Sequence, residues 1–251
     1  MPASSLPQSL CRYEYSRDHD RMWRKTRSRT GKKNFLGQEC HGVDPNRNFG
    51  FEWGGYGASD DACKETYRGS RAFSEPETRA MRDFLLGEKA DFQLYLTFHS
   101  YGQYLLYPWG YDTLDTRDWA ELHRVGNVAA RALKKVNGVT YQLGSAAKML
   151  YPASGGSDDW AKGGAGIKYS YTIELPDTGR HGFILPARWE DDIQISHRHV
   201  SPPSVSSSPS ILPSSPSEDA VIFARFIRGV GFQAATVVKS MLGAVREILP
   251  K

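Results

Sequence analysis

The sequence predicts an α/β protein whose sheet carries helices on both faces, and three observations predict it. Residues 92–98, Phe-Gln-Leu-Tyr-Leu-Thr-Phe, form an apolar, β-favouring run that reads as a buried strand. Residues 168–174 alternate into a second such strand. Two stretches of helical spacing stand before and between them, and helices alternating with buried strands imply a sheet covered on both sides. With 251 residues, 39% hydrophobic and 24% charged, the chain can bury one sizeable core.

Taken in order, residues 1–12 are Ser- and Pro-rich and read as an irregular segment. Residues 13–29 carry aromatics and then the basic cluster Arg21-Met22-Trp23-Arg24-Lys25-Thr26-Arg27, which by itself reads as a solvated charge run. Residues 31–71 read as irregular, and include Asp44-Pro45-Asn46-Arg47-Asn48 and Trp53-Gly54-Gly55-Tyr56-Gly57. A loop of that length in a compact domain is more often functional than filler. Ser74-Glu75-Pro76-Glu77 reads as a capping box opening a helix, with Ala80, Met81, Phe84 and Leu85 as its apolar stripe and Gly87 at its end.

The strand of residues 92–98 follows and gives way to His99, Ser100 and Tyr101. A polar cluster at the end of a buried strand is where open α/β sheets place their chemistry. A short strand is expected at 103–107. A longer helix at 116–136 has Leu122, Val125, Ala129, Ala132, Leu133 and Val136 on one face, and Asn137-Gly138 closes it. Residues 141–143 suggest another strand and 151–166 a loop rich in glycine and polar groups. The strand at 168–174 ends on Glu174, and Asp177-Thr178-Gly179 signals a turn.

Residues 200–217 contain nine Ser and five Pro, a composition expected of a disordered insertion. Helical spacing returns at 233–249 through Val237, Val238, Met241, Val245 and Ile248, a helix expected to dock on the main core. The organisation is therefore an irregular segment 1–12, a main α/β domain over 13–199, an insertion 200–217, and a helical completion of the domain over 218–251.

The net charge of +4 is mild and scattered, and no nucleic-acid-binding motif accompanies it, so nucleic acid is not the expected partner. No apolar run is long enough to cross a bilayer, and residues 1–10 lack the apolar stretch of a secretory signal. Neither a membrane partner nor an oligomer is expected; the chain reads as a monomer. Cys11, Cys40 and Cys63 fit no metal or redox spacing. One disulfide plus an odd thiol and three reduced thiols both remain open; Cys40 with Cys63 is the preferred pair, because those two flank the Gly- and aromatic-rich loop.

Four stretches stand together: Trp23-Arg24-Lys25-Thr26-Arg27, Asp44-Pro45-Asn46-Arg47-Asn48, His99-Ser100-Tyr101, and residues 151–174, which contain Ser157-Asp158-Asp159-Trp160 and end on Glu174. In this order and spacing they resemble the pancreatic-type zinc metallocarboxypeptidases of the A/B family, over roughly residues 13–187. Taken singly, Arg47 reads as well as a structural ion pair, Tyr151 as a loop anchor and Glu174 as a surface carboxylate; it is their joint order that carries the resemblance.

The resemblance implies a mixed-sheet exopeptidase fold and a site. Asn46 and Arg47 clamp the substrate's terminal carboxylate, a task suited to arginine's planar fork. Tyr151 closes over it, and Ser100 and Tyr101 contact substrate. Arg24 stabilises the developing oxyanion. Glu174 is the general base, and His99 a zinc ligand. Asp158 falls at the floor of the pocket for the departing side chain, where a buried carboxylate selects Lys or Arg; Asp also caps turns often, which is the plainer reading of that position. The partners implied are peptide or protein C-termini, the cofactor is Zn²⁺, Cys40–Cys63 corresponds to a disulfide, and the location is extracellular.

The sequence also departs from that pattern. Zinc in the family is held by two histidines and a glutamate, two of them from a His-x-x-Glu motif, and none of the seven histidines here begins one. The nearest approach is His41-Gly42-Val43-Asp44, whose Asp44 aligns with a carboxylate that normally orients the upstream histidine. The first strands of the sheet and a pro-region are likewise missing from the resemblance, as expected of a truncated or spliced form. Pro176 stands where relatives carry Arg. Two functional readings follow: a zinc carboxypeptidase releasing C-terminal Lys or Arg, and a non-catalytic module that binds basic C-termini.

Overall fold

The computed structural model of this chain describes residues 14–87, 91–184, 241–243 and 245. A short antiparallel hairpin, β1 (Arg29–Lys33) and β2 (Glu39–His41), leads into a 3₁₀ turn at Pro45–Arg47. Helix α1 (Pro76–Leu85), strands β3 (Leu94–Ser100) and β4 (Tyr104–Tyr107), helix α2 (Trp119–Asn137), strand β5 (Gln142–Ser145), helices α3 (Ala146–Met149) and α4 (Ser157–Gly163), and strand β6 (Tyr169–Leu175) follow. The main sheet has the order β3-β6-β4-β5. β3 runs parallel to β6 and β4 parallel to β5, whereas β4 and β6 are antiparallel, so the sheet is mixed.

The period-2 alternation of the strands divides the molecule into two cores. Tyr169, Tyr171 and Ile173 of β6, with Leu94, Leu96, Leu105 and Tyr107, face Leu122, Val125, Ala129 and Leu133 of α2. All four of those α2 side chains are fully buried, and at about 2 kcal/mol for each large apolar side chain this face dominates the packing. The buried Tyr171 hydroxyl donates to the Leu122 carbonyl at 2.8 Å, so its polar tip is satisfied inside that core. Met241 and Val245 belong to the same cluster. On the opposite face Tyr95 packs with Trp160 and Ala161 of α4, Leu85 of α1, Phe49 and Ile167. Helices cover both faces, as the fold class requires.

Several local expectations are corrected. Residues 31–71 are not wholly irregular: β1 and β2 pair across a tip where the Asn34 side chain accepts from the backbone N–H of Leu36 and Gln38 and Gly37 takes φ 77°. Neither strand alternates apolar with polar, so turn chemistry specifies the hairpin. The basic cluster is not a solvated run, since Lys25 and Thr26 are buried and the Lys25 ammonium donates to the carbonyls of Ala62 and Lys64.

Helix α1 begins one residue later than a capping box at Ser74 would place it. Glu75 is its N-cap because the residue before Pro76 is held extended, at φ −89° and ψ 140°. Its buried positions are Thr78 and Leu85, while Ala80 and Phe84 are exposed. The stretch 151–166 contains helix α4. β3 runs through His99 and Ser100, and β6 one residue past Glu174. Gly138 closes α2 in the left-handed conformation, as Asn137-Gly138 predicts. Cys40 and Cys63 form a disulfide. The 200–217 insertion, residues 1–12 and most of 233–249 lie outside the described residues.

Candidate active site

Two neighbouring strands carry the centre of the site. β3 and β6 are parallel with His99 opposite Glu174, and alternation puts Thr97 and His99 with Thr172 and Glu174 on the face turned away from α2. Glu174 is largely buried, with 12% of its side chain exposed; Oε1 stands 3.8 Å from His99 Nδ1, and the buried Oε2 has no hydrogen-bond partner. Burial pushes the Glu174 carboxyl up to about 7; Arg24 opposes that rise and Asp158 adds to it. Burial also lowers the His99 pKa, with the charges of Arg24 and Arg47 adding to the effect against that of Asp158. The lowered pKa favours the neutral imidazole of His99, whose Nε2 lies 3.1 Å from Thr97 Oγ1.

The facing wall comes from the chain before α1, and Asp44 organises it. The buried Asp44 Oδ2 accepts from Arg24 Nε at 2.9 Å and Arg24 Nη2 at 2.8 Å. Oδ1 accepts from the Asn46 backbone N–H at 3.0 Å and so caps the Pro45–Arg47 turn. Arg47 Nη1 lies 4.0 Å from the same carboxylate. Burial disfavours the Arg24 charge, but Asp44 outweighs it and the guanidinium pKa is raised. Asn46 Oδ1 accepts from the Ser157 N–H at 3.0 Å, which joins the turn to the start of α4.

Helix α4 delivers two adjacent buried carboxylates to different tasks. Asp158 accepts from Thr172 Oγ1 at 2.9 Å and turns toward the cleft. Asp159 accepts from the Gly110 and Tyr111 N–H groups, holding the backbone that forms another part of the wall; burial, and then the charge of Asp158, raise its pKa well above the ordinary carboxylate value. Tyr151 is 60% exposed at the rim.

Arg24, Asn46, Arg47, His99, Tyr151, Asp158 and Glu174 thus line one cleft, together with Leu106, Gly110, Ala146, Leu150, Ala153, Gly156 and Thr172. Ser100 and Tyr101 do not line it: Ser100 is exposed at the end of β3, and the Tyr101 ring packs on Phe183 with centroids 4.9 Å apart. His99 points into the cleft and Ser100, its neighbour along a strand, points away. Thr172 escaped the sequence reading although counting back by two from Glu174 reaches it. Asp44 is engaged with Arg24 rather than with a histidine.

The described residues do not fit the zinc that the resemblance implies. Among the described residues no group of three His, Cys, Asp or Glu side chains could hold a metal ion, and His99 with Glu174 falls short of the three protein ligands of a catalytic zinc site. What these residues can do is bind an anion between two guanidinium groups, accept a proton at Glu174, and pair a cation with Asp158.

A mixed α/β sheet thus carries two arginines turned into a cleft beside an unpartnered carboxyl oxygen, an arrangement able to bind an anion. The chain belongs to the zinc carboxypeptidase family, whose profile matches residues 13–198. It is 51% identical over 174 residues to carboxypeptidase B of Astacus astacus, covering 69% of this chain and 56% of the relative. It is 46% identical over 175 residues to carboxypeptidase A1 of Bos taurus, covering 70% and 40%. Among solved structures, bovine thrombin-activatable fibrinolysis inhibitor in complex with tick carboxypeptidase inhibitor superposes with a TM-score of 0.73 at 33% identity, over 94% of this chain and 66% of that one. The chain spans about half the length of the curated relatives it matches.

Proposed function

We propose that this chain is a metallocarboxypeptidase of B-like specificity, acting on peptides and proteins whose C-terminal residue is Lys or Arg. The observation that carries the reading is that buried Asp158 lines the same cleft as Arg24, Asn46 and Arg47. A residue with a free carboxylate and a cationic side chain then meets a cation clamp and an anion within one cavity, whereas an apolar side chain would leave Asp158 desolvated and unpaired. Tyr151 at the rim closes the clamp, Arg24 faces the carbonyl oxygen of the bond to be cut, and Glu174, near its titration midpoint at neutral pH, serves as general base. The Cys40–Cys63 disulfide supports an exported protein.

Among the described residues no three side chains form a metal site, and the second reading is a module that grips basic C-termini without cutting them. One preparation separates the two. About one zinc per chain with release of arginine from a peptide ending in Arg is the outcome for the enzyme. Binding of that peptide with no zinc and no release is the outcome for the module. No binding of any free-acid peptide refutes both.

A further inference from the structure

Arg47 reaches the cleft with its orientation already fixed. Nε donates to the Gly57 carbonyl at 2.9 Å and Nη1 to the Asn46 carbonyl at 2.8 Å, so two backbone oxygens set the plane of the guanidinium. Among the described residues Nη2 has no hydrogen-bond partner, and the side chain lines the cleft. An anion there meets a fork whose angle depends on where Gly57 places its carbonyl.

Gly57 has a second contact on its other side. Its φ is +74°, and a Cβ built on it would lie 2.4 Å from the Pro152 carbonyl oxygen and 2.9 Å from Ala153 Cα. Both are backbone atoms, so no side-chain rotation relieves the clash. The segment cannot retreat freely either, because Ala153 N donates to the Gly110 carbonyl at 2.7 Å and Ser154 N to the Tyr56 carbonyl at 2.9 Å. Ala153 is part of the cleft wall, and Pro152 follows Tyr151 directly.

We propose that Gly57 is a positioning residue for recognition of the C-terminal carboxylate: its carbonyl aims Arg47, while its bare α-carbon seats the segment that carries Tyr151. The proposal rests on the carboxylate-binding reading of the cleft. It differs from a plain turn role, in which any residue tolerating positive φ would serve. With a side chain at 57, the Pro152–Ala153 backbone and the Arg47 acceptor cannot both keep their places, so clamp and rim are disturbed together.

The test compares free arginine with argininamide, neither of which has a peptide bond to be cut, binding to the full 251-residue chain by isothermal calorimetry, with thermal unfolding recorded in parallel. The wild type is expected to prefer the acid. Gly57→Ala is expected to bind the acid about tenfold more weakly with amide binding unchanged, the size of one charge-assisted hydrogen bond. Gly55→Ala is the control, since its Cβ would meet the Ser154 hydroxyl at 2.5 Å, a side-chain tip that can rotate away. It is expected to keep the acid preference.

A folded Gly57→Ala protein with the wild-type acid-to-amide ratio overturns the inference and leaves the carboxylate site standing. A wild type indifferent to acid or amide removes the site itself and the inference with it. Should Gly57→Ala fail to fold, hydrogen exchange of the Arg47 Nε–H in the wild type decides: protection supports the Gly57 contact, and exchange at the solvent rate refutes it.

Discussion

Replacing Glu174 by Gln should make stability less dependent on pH, in a direction the structure fixes. The carboxyl is largely buried, lacks a partner at Oε2, and is pushed from 4.5 up to about 7 by burial, against the pull of Arg24. A group whose folded pKa is raised holds its proton more tightly in the native state than in the unfolded chain. It therefore carries no penalty below about pH 4.5, loses stability as pH rises through the interval, and carries the whole penalty above about pH 7. That interval corresponds to about 3 kcal/mol at pH 8. Glutamine has no such titration, and any cost of its amide is the same at every pH. The assay is urea unfolding of both proteins from pH 4 to pH 8. The stability of the variant relative to the wild type should climb by about 3 kcal/mol over that range. A difference flat with pH would mean that Glu174 titrates as a solvated carboxylate, and the case for it as a base poised near neutrality would fail.

Further outcomes follow from the same geometry. Asp158→Ile should move binding preference from peptides ending in Arg toward those ending in Phe, by about tenfold or more in the ratio of dissociation constants; an unchanged preference removes Asp158 from specificity. Asn48→Ala should destabilise by about 3 kcal/mol in urea unfolding, because Asn48 donates to Arg68 O, Arg71 O and Ser74 Oγ and accepts from Glu75 N and Thr78 Oγ1, all in a buried place. A loss below about 1 kcal/mol would show that water replaces that network. Cys40→Ser with Cys63→Ser should lower stability by about 3 kcal/mol for a separation of 23 residues, and a thermal midpoint equal to the wild type would exclude that role for the bridge.

The sheet was legible where the buried faces are apolar. β3, β4, α2 and β6 were found because Leu94, Leu96, Leu122, Val125 and Ile173 repeat at the period of their element and all enter one core. The hairpin and α4 were missed for the opposite reason. β1 reads Arg-Thr-Gly-Lys-Lys and is held by ladder bonds and an Asn34 turn rather than by burial. α4 buries Ser157, Asp158 and Asp159 along with Trp160 and Ala161, so polar and apolar residues are buried together and no repeating hydrophobic stripe marks the helix. The capping-box pattern at Ser74 was present, but Pro76 forces Glu75 extended and moves the start. Seven candidate residues gather in the cleft because they sit on the one sheet face and its facing loops, whereas Ser100 falls on the other face of β3 and Tyr101, just beyond the strand, turns its ring onto Phe183.

The part no sequence pattern conveyed is how charge is shared across the cleft. By resemblance Asp44 stands where a carboxylate orients a histidine, yet here it is buried, hydrogen-bonds Arg24 and has Arg47 Nη1 4.0 Å away. Two guanidinium groups offset by one such carboxylate leave a single net positive charge at the clamp. Asp158 supplies a negative charge elsewhere in the same cavity, while burial raises the pKa of Glu174 to about 7. A ligand matched to that arrangement carries one negative and one positive charge on the same residue, which on the proposed reading is a C-terminal Lys or Arg. Removing Asp158 alone would leave the clamp positive and unbalanced, so the variant should still hold free carboxylates while ceasing to reward a basic side chain. Loss of acid binding along with basic preference in Asp158→Ile would instead mean that the two halves of the cleft do not act on one residue.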